Sequence, residues 1–173
     1  MTVERPVRVG IVLGSDSDLE VILETVKTLE ALEIGCEVVV ASAHRTPQKT
    51  HDYAATAHTR GLGVLIAAAG GAAALPGVLA ASTPLPVIGV PIAATPLGGL
   101  DALLSIVQMP KGVPVATVAI GAWGATNAAI LAAQILAAGD GALAKRLAAY
   151  RQTLADEVED RARRVADQMK ARG

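Results

Sequence analysis

Five short, almost entirely apolar runs recur along the chain, and stretches with helical periodicity separate them. The runs are VRVGIVL from Val7, CEVVVA from Cys36, VLIAA from Val64, PVIGV from Pro86 and VPVATVAI from Val113. Strands that are apolar on both faces are typical of a parallel sheet with helices on both sides. Because parallel neighbours also need a crossover connection, the alternation predicts an α/β fold with an open, doubly wound sheet of five parallel strands. We expect a flavodoxin-like strand order.

The segments between these runs show the sequence patterns of helices. After Asp18, apolar residues recur every three or four positions until Gly35, which we interpret as the stop of the first helix. A second helix is predicted to begin at Pro47, a favoured first helical position, and to run to about Arg60. Further helices are predicted over residues 75–82, 99–107, 126–138 and 142–170.

The size and charge of the chain restrict the kind of protein it can be. Its 173 residues suit a single domain, 1–173, whose core must consist of Ala, Val, Leu and Ile because only 2% of the residues are aromatic. A formal net charge of -1 provides no basic surface, so we expect no nucleic-acid partner. Cys36 is the only cysteine, which excludes an internal disulfide and a cysteine-based zinc cluster and fits a reducing compartment.

We expect neither a secretory signal nor a membrane span in this chain. Its first residues, MTVERPVRVG, lack the apolar stretch of a secretory signal. The longest apolar tract, VLIAAAGGAAALPGVLAA, is interrupted by Gly and Pro, which favours core packing over a membrane span. We therefore expect a cytoplasmic protein with no membrane partner.

The first strand-to-helix loop, GSDSD at residues 14–18, suits a phosphate or a ribose. In doubly wound sheets, ligands bind beyond the carboxyl ends of the strands, where such loops lie. This loop sets hydroxyls, free backbone N–H groups and a carboxylate at a helix N-terminus. Capping of the helix by Ser17 or Asp18, without any ligand, would explain the same residues. The spacing matches neither GxGxxG nor a Walker motif, which argues against dinucleotides and nucleoside triphosphates.

The second loop, SAHRTP at residues 42–47, places the imidazole of His44 beside the guanidinium of Arg45 at a helix start that favours an anion. Imidazole exchanges protons near neutral pH, so the pair suits a phosphorylated substrate that needs a proton transfer. Structural hydrogen bonds in a surface loop would account for both residues equally well. His51 and His58 have no third ligand nearby, and we interpret them as surface or packing residues and not as a metal site.

The third loop, AAGGAAALPG at residues 68–77, has very little side-chain bulk. A flat ring could therefore lie against its backbone and bond to its amides, although a purely packing role is equally allowed. Asp101, near the start of a later helix, is interpreted more simply as an acid that compensates the helix dipole.

Six segments taken together resemble one known family. They are GSDSD, SAHRTP, AGGAAALPG, GVP at residues 89–91, SIVQMPKGVPV and NAAILAAQIL, in family order over nearly the whole chain. The chain resembles the PurE family of class I type, the 5-(carboxyamino)imidazole ribonucleotide mutases. The resemblance implies a three-layer α/β/α sandwich, a homo-octamer with active sites at subunit boundaries, and no cofactor, metal or ATP. It also implies an isomerase of de novo purine (IMP) biosynthesis that moves a carboxylate from an exocyclic amine to a ring carbon.

The resemblance assigns roles to the polar residues of the first two loops. Ser15 and Asp18 look like ligands of the ribose phosphate, Arg45 like the phosphate clamp, and Ser42 like a further substrate contact. His44 looks like the catalytic acid and base. The reaction is consistent with one such group, because a nitrogen is protonated as carbon dioxide leaves and a ring carbon later loses a proton.

In the third loop, the resemblance implies that the backbone of Gly70, Gly71 and Ala72 holds the carboxylate or trapped carbon dioxide in a water-poor space. The family usually has His where this chain has Ala74, so assistance from a second imidazole is absent here.

Two alternative functions remain open. One is a direct aminoimidazole ribonucleotide carboxylase that uses carbon dioxide, a class that tends to have SAHKT and an AGRSN-like third loop. The other is a non-catalytic nucleotide-binding protein on the same fold.

The last predicted helix, at about residues 142–170, far exceeds a typical length of about 11–12 residues. No strand follows it in the alternation, so it has no obvious place to pack within one domain. We predict that it packs against a neighbouring subunit, with folding back over its own sheet as the alternative and with a frayed end after Asp160. The expected contact stripe consists of Leu143, Leu147, Tyr150, Leu154 and Val158.

Overall fold

A central parallel sheet organises the computed structural model, which describes residues 6–172. Its strands are β1 Val7–Leu13, β2 Gly35–Val40, β3 Val64–Gly70, β4 Val87–Ile92 and β5 Ala116–Thr117. The strand order is β2-β1-β3-β4-β5, and every neighbouring pair is parallel. The predicted flavodoxin-like order is confirmed.

Helices cover both faces of this sheet. They are α1 Leu19–Ala31, α2 Pro47–Ala57, α3 Leu75–Ser82, α4 Leu100–Val107, α5 Ala122–Ala137 and α6 Gly141–Lys170. Side chains alternate along a strand, so β1 contributes to a core on each face of the sheet. On one face, Val9, Ile11 and Leu13 pack with α1, α5 and the start of α6. On the other face, Val12 packs with α2, α3 and α4. The expected three-layer α/β/α sandwich is confirmed. Within residues 6–172, none of the helices is both long enough and apolar enough to cross a bilayer.

The first helix ends earlier than predicted, and a different residue ends it. Helix α1 stops at Ala31, and Glu33 adopts a left-handed φ of 59°. Ile34 N then donates to Leu29 O at 2.9 Å, which closes the last turn. Gly is the usual residue in such a left-handed position, but Gly35 instead opens β2. The interpretation of Gly35 as the stop was therefore wrong.

The fifth strand is much shorter than the predicted run from Val113. Only Ala116 and Thr117 pair with β4. Pro114 has no N–H to donate to a ladder, so the apolar run does not continue as a strand on that side.

Two other helix bounds also differ from prediction. Helix α2 ends at Ala57, and only a turn continues to Gly61. Helix α5 begins at Ala122, four residues before the predicted start at residue 126. A Cβ at Gly124 would overlap the carbonyl oxygen of Ala119, so this glycine lets the helix start directly against the preceding loop.

Helix α6 divides into a packed part and an exposed part. Asp140 caps its start by accepting from Leu143 N at 3.0 Å, and Arg8 bonds to the same carboxylate at 2.7 Å. Leu143 and Leu147 are buried in the core beside α5. From residue 151 to residue 172 every residue is exposed. The predicted lack of a packing site was thus wrong for the first turns, and the helix continues to Lys170 instead of fraying after residue 160.

Candidate active site

The loops that follow β1, β2 and β3 meet at the carboxyl edge of the sheet. With Ala94, which follows β4, they enclose a cavity of about 390 Å³. The predicted site residues that line it are Ser15, Asp18, Ser42, His44, Arg45 and Gly70. Gly71 and Ala72 belong to the third loop but are not among the lining residues. The fold therefore brings the candidate residues of all three loops to one place.

In the first loop, Ser15 and Asp18 hold each other as a capping box around a 3₁₀ turn at Asp16–Asp18. Ser15 N donates to Asp18 Oδ2 at 3.2 Å, and Ser15 Oγ accepts from Ser17 N at 3.4 Å. The capping residue is thus Ser15, and not Ser17 or Asp18 as the alternative interpretation had it. Capping and substrate binding are compatible here, because both side chains also face the cavity.

Asp18 is a buried carboxylate at the floor of the cavity, with 5% of its surface exposed. Burial raises its pKa, and the hydrogen bonds from Ser15 N and Ser17 Oγ oppose the rise only in part. Keeping this group charged at neutral pH therefore costs the free protein stability. A ligand that donates hydrogen bonds to the carboxylate would recover part of that cost.

We expect Asp18→Asn to stabilise the free protein while weakening ribonucleotide binding. Because the Asp18 pKa is raised, the folded chain binds this proton more tightly than the unfolded chain and loses stability as the pH rises through that pKa. Asn removes the charge and can still accept from Ser15 N. Thermal unfolding at neutral pH should shift upward by roughly 2–4 °C for each kcal/mol relieved. The gain should vanish in acid, where Asp18 is itself protonated; a lower Tm at neutral pH would contradict the argument.

In the second loop, Arg45 connects the first two loops. Its backbone N and Nε donate to Ser42 Oγ at 3.2 and 3.4 Å, and its Nη2 donates to the carbonyl oxygen of Gly14 at 3.2 Å. Thr46 closes the loop by accepting from Ser42 N at 2.9 Å. The guanidinium is exposed and keeps further N–H groups for an anion, in the fork geometry that suits phosphate.

His44 lies beside this bridge on the cavity wall and is exposed. Within residues 6–172, no hydrogen bond ties its ring to another side chain or to the backbone. A ring that is not engaged in a structural bond is available to exchange a proton with a bound ligand. Its location favours the functional interpretation of the loop over the purely structural one.

The third loop forms a tight wall of small residues. A Cβ on Gly70 would stand 2.6 Å from the Cβ of Ala94, so only glycine fits there. Gly71 has a φ of 61° and Ala73 a φ of 41°, the latter an uncommon conformation for a residue with a side chain. Ala74 precedes α3 and is only partly buried, but it does not line the cavity.

The sequence analysis placed the second and third loops at the site but did not identify the apolar residues that form the cavity walls. They are formed by Ala43, Ala69, Ala73, Leu75 and Ala94. Alanines are frequent throughout this chain, so composition gives no signal that distinguishes these from core residues. Ala94 lies two residues after Ile92, the last residue of β4, and this position beyond a strand end was the one available indication.

The other candidate residues lie apart from the cavity or act differently. His51 and His58 are exposed on α2 and the turn that follows it, and His51 Nδ1 lies 3.2 Å from Ser82 Oγ. In the part of the chain that the structure describes, no group of three or more His, Cys, Asp or Glu could hold a metal ion. Asp101 does lie in the first turn of α4, but its Oδ2 also accepts from Thr95 Oγ1 at 2.7 Å, so dipole compensation is not its whole role.

Comparison with known proteins identifies the family of this chain. Residues 8–157 match the family model described as AIR carboxylase. This chain belongs to the AIR carboxylase family. A relative from Pyrococcus abyssi, named N5-carboxyaminoimidazole ribonucleotide mutase, is 57% identical over 85% of this chain and 83% of its own length. A relative of the same name from Mycobacterium tuberculosis is 56% identical over 90% of this chain and 87% of its own length.

Solved structures share the same fold. The crystal structure of Treponema denticola PurE matches with a TM-score of 0.79 and 26% identity, covering 88% of this chain and 94% of that one. The crystal structure of a substituted variant of Treponema denticola PurE2 matches with a TM-score of 0.82 and 26% identity, covering 92% of this chain and 98% of that one. The resemblance to the PurE family that the sequence indicates is confirmed.

Proposed function

We propose that this chain is an N5-carboxyaminoimidazole ribonucleotide mutase, an isomerase of purine biosynthesis. It converts 5-carboxyamino-1-(5-phospho-D-ribosyl)imidazole to 5-amino-1-(5-phospho-D-ribosyl)imidazole-4-carboxylate. The observation that carries the proposal is the convergence of His44, Arg45 and the Ser15–Asp18 box on one cavity with a wall of small residues. Relatives of this name, 56–57% identical over most of their length, support the same reaction.

The polar end of the cavity binds the ribose phosphate. Arg45 supplies charge-assisted N–H donors for the phosphate, and Ser15, Ser42 and Asp18 contact the sugar and phosphate oxygens. These residues are already connected by hydrogen bonds to one another or to the neighbouring loop. The binding groups are therefore largely preorganised before the ligand arrives.

His44 moves the proton in both halves of the reaction. In the first half, the bond between the exocyclic nitrogen and the carboxylate carbon breaks, carbon dioxide leaves, and His44 donates a proton to the nitrogen. In the second half, ring carbon 4 attacks the carbon dioxide, the new carbon–carbon bond forms, and the proton on that carbon returns to His44. The protonated imidazole is regenerated, and no external acid, base or oxidant is consumed.

The carbon dioxide is held between the two halves by the third loop. Gly70 and Ala73 line the cavity with Ala43 and Ala69, and the backbone of Gly71 and Ala72 completes the proposed cradle. Small apolar walls exclude water, and peptide N–H groups stabilise the carboxylate as it forms or disappears. The reaction needs no cofactor or metal in this scheme.

A single assay tests this proposal against its two alternatives. Purified protein is given either the carboxyamino ribonucleotide or aminoimidazole ribonucleotide with bicarbonate, and formation of the 4-carboxylate is followed. A mutase uses the first substrate well, whereas a direct carboxylase, the activity in the family's name, uses the second. A protein that binds the ribonucleotides without forming product is the non-catalytic alternative, and this outcome would refute the proposal.

Arg45→Leu should chiefly weaken binding of the ribonucleotide. The change removes the charge-assisted donors and the Arg45–Gly14 bridge, and a lost hydrogen bond to a charged group costs about 1.5–3 kcal/mol, or roughly 10–150-fold in affinity. The matching nucleoside, which has no phosphate, should bind weakly to both proteins. Calorimetric titration of each ligand measures this. Equal affinity of the parent for nucleotide and nucleoside would rule out the phosphate assignment.

We further propose a cytoplasmic homo-octamer with one such domain in each subunit. Two exposed apolar surfaces support contact between subunits. One lies on and just before α4, and the other on the second part of α6; their most exposed members are Leu97, Leu100, Leu104, Val158, Val165 and Met169. Apolar stripes of this kind usually mark an interface. The number of subunits follows from the PurE resemblance.

A further inference from the structure

Two polar side chains on one face of α4 bind the two loops beside the cavity. Asp101 and Ser105 are four residues apart and therefore lie one turn above each other. Asp101 Oδ2 accepts from Thr95 Oγ1 in the loop after β4, at 2.7 Å. Ser105 Oγ donates to the carbonyl oxygen of Ala72 in the third loop, at 2.5 Å. One short helix thus fixes both loops at once.

The bond from Ser105 controls the shape of the third loop. The peptide that joins Ala72 to Ala73 is held at both ends, because its carbonyl accepts from Ser105 and its N–H donates to Gly70 O at 3.2 Å. Ala73 is held at a φ of 41°, a conformation that is unfavourable for a residue with a side chain and persists only where surrounding contacts enforce it. Without the Ser105 bond, this loop is expected to relax towards an ordinary backbone conformation.

The bond from Thr95 to Asp101 controls the opposing wall. Thr95 Oγ1 also accepts from Leu97 N at 3.2 Å, and Thr95 O accepts from Gly98 N at 3.1 Å, so this threonine organises the turn after Ala94. Ala94 lines the cavity and lies against Gly70 so closely that no Cβ fits between them. A shift of this turn would open a gap between the loops.

We propose that Ser105 and the Thr95–Asp101 pair are positioning residues that keep carbon dioxide inside the site between the two halves of the reaction. The inference rests on the proposed function and adds to it the groups that prevent loss of the intermediate. Carbon dioxide is neutral and offers little for the protein to bind, so its retention depends on closed walls. Escape leaves aminoimidazole ribonucleotide and free carbon dioxide in place of the carboxylated product.

The test measures how a labelled carboxylate divides between product and solution. The substrate carries ¹³C in its carboxylate, the buffer contains unlabelled bicarbonate, and the ratio of label in the 4-carboxylate to label released is determined, with a blank that lacks protein. Once the uncatalysed release measured in the blank is subtracted, this ratio does not depend on how much of a variant is folded or active, so a loss of folded protein alone would leave it unchanged. KM is recorded in parallel, because the phosphate end of the cavity is held by other loops.

Ser105→Ala and Thr95→Val should each lower the retained-to-released ratio by about 10-fold, since displacement of a site group by about 1 Å commonly costs up to 10²-fold in productive reaction. Thr95→Ser keeps the hydroxyl and should behave as the parent. Ser82→Ala is the matched serine control, because among residues 6–172 its hydroxyl contacts Val78 O in α3 and His51 in α2, both away from the cavity. KM should stay within about threefold of the parent.

Each result decides the matter. An unchanged ratio in either Ser105→Ala or Thr95→Val, even with slower turnover, would overturn the positioning role of that residue. Unchanged ratios in both variants would overturn the whole proposal, as would equal loss of label in the Ser82→Ala control. A parent protein that forms no labelled 4-carboxylate would instead refute the proposed function, and the positioning role with it.

Discussion

Replacing His44 with Asn is expected to lower turnover by about 10²–10⁴-fold while substrate still binds, because general acid–base catalysis contributes a factor of this size. His44 is exposed and makes no hydrogen bond through its ring within residues 6–172, so the change should not disturb the loop. Asn retains polarity and approximate size but cannot exchange the proton. Single-turnover kinetics measure the chemical step, and calorimetric titration measures binding of the ribonucleotide.

The effect of His44→Asn has to be compared with the same substitution at a histidine outside the site. His58 follows α2, is exposed and does not line the cavity, so His58→Asn should keep parental turnover. If His44→Asn also retained near-parental turnover, His44 would not be the proton-transfer group. A loss of binding as large as the loss of turnover would instead make it a binding residue.

The sequence predicted the fold well because the strands are apolar on both faces. Strands of this kind are typical of a parallel sheet covered by helices on both sides. The order of strands and helices along the chain then restricts the topology. The end of α1 could not be predicted in the same way, because Glu33 takes a left-handed conformation that a glycine usually takes. The start of α5 depended on the contact between Gly124 and Ala119, and close approaches of this kind are not visible in a helical pattern.

The polar residues of the candidate site could be predicted from their side chains and their positions in the chain. His44, Arg45 and Asp18 are conspicuous in an alanine-rich chain, and the strand-end rule places their loops at one edge. The bonds between loops were not predictable. The Arg45–Gly14 bridge and the Ser105–Ala72 bond each join residues about 30 positions apart, and no local pattern records which carbonyl a side chain will reach.

Removing the exposed part of helix α6 is expected to abolish assembly of the subunits. The position of the truncation has to leave the packed part of the helix in place. A cut before Asp140 would remove Leu143 and Leu147, which are buried, and the Arg8–Asp140 ion pair. Loss of assembly would then be confused with loss of folding. A stop after Tyr150 removes a segment whose described residues, 151–172, are all exposed, so the shortened chain should keep its core and its thermal unfolding transition.

We expect the chain that ends at Tyr150 to lose the parental oligomeric state, as measured by light scattering on a sizing column. In the full chain, Leu154 and Val158 are 45% and 58% exposed on one side of α6, and each buried aliphatic side chain contributes about 1.5–3 kcal/mol to an interface. Changing both to Asp should therefore give the same loss. Ala149→Asp places a charge on the opposite side of the helix and should leave the mass unchanged. If the shortened chain and the double variant both kept the parental number of subunits, the exposed part of α6 would have no role in assembly. The subunit contacts would then have to lie elsewhere, with the apolar residues on and before α4 as the other candidate surface.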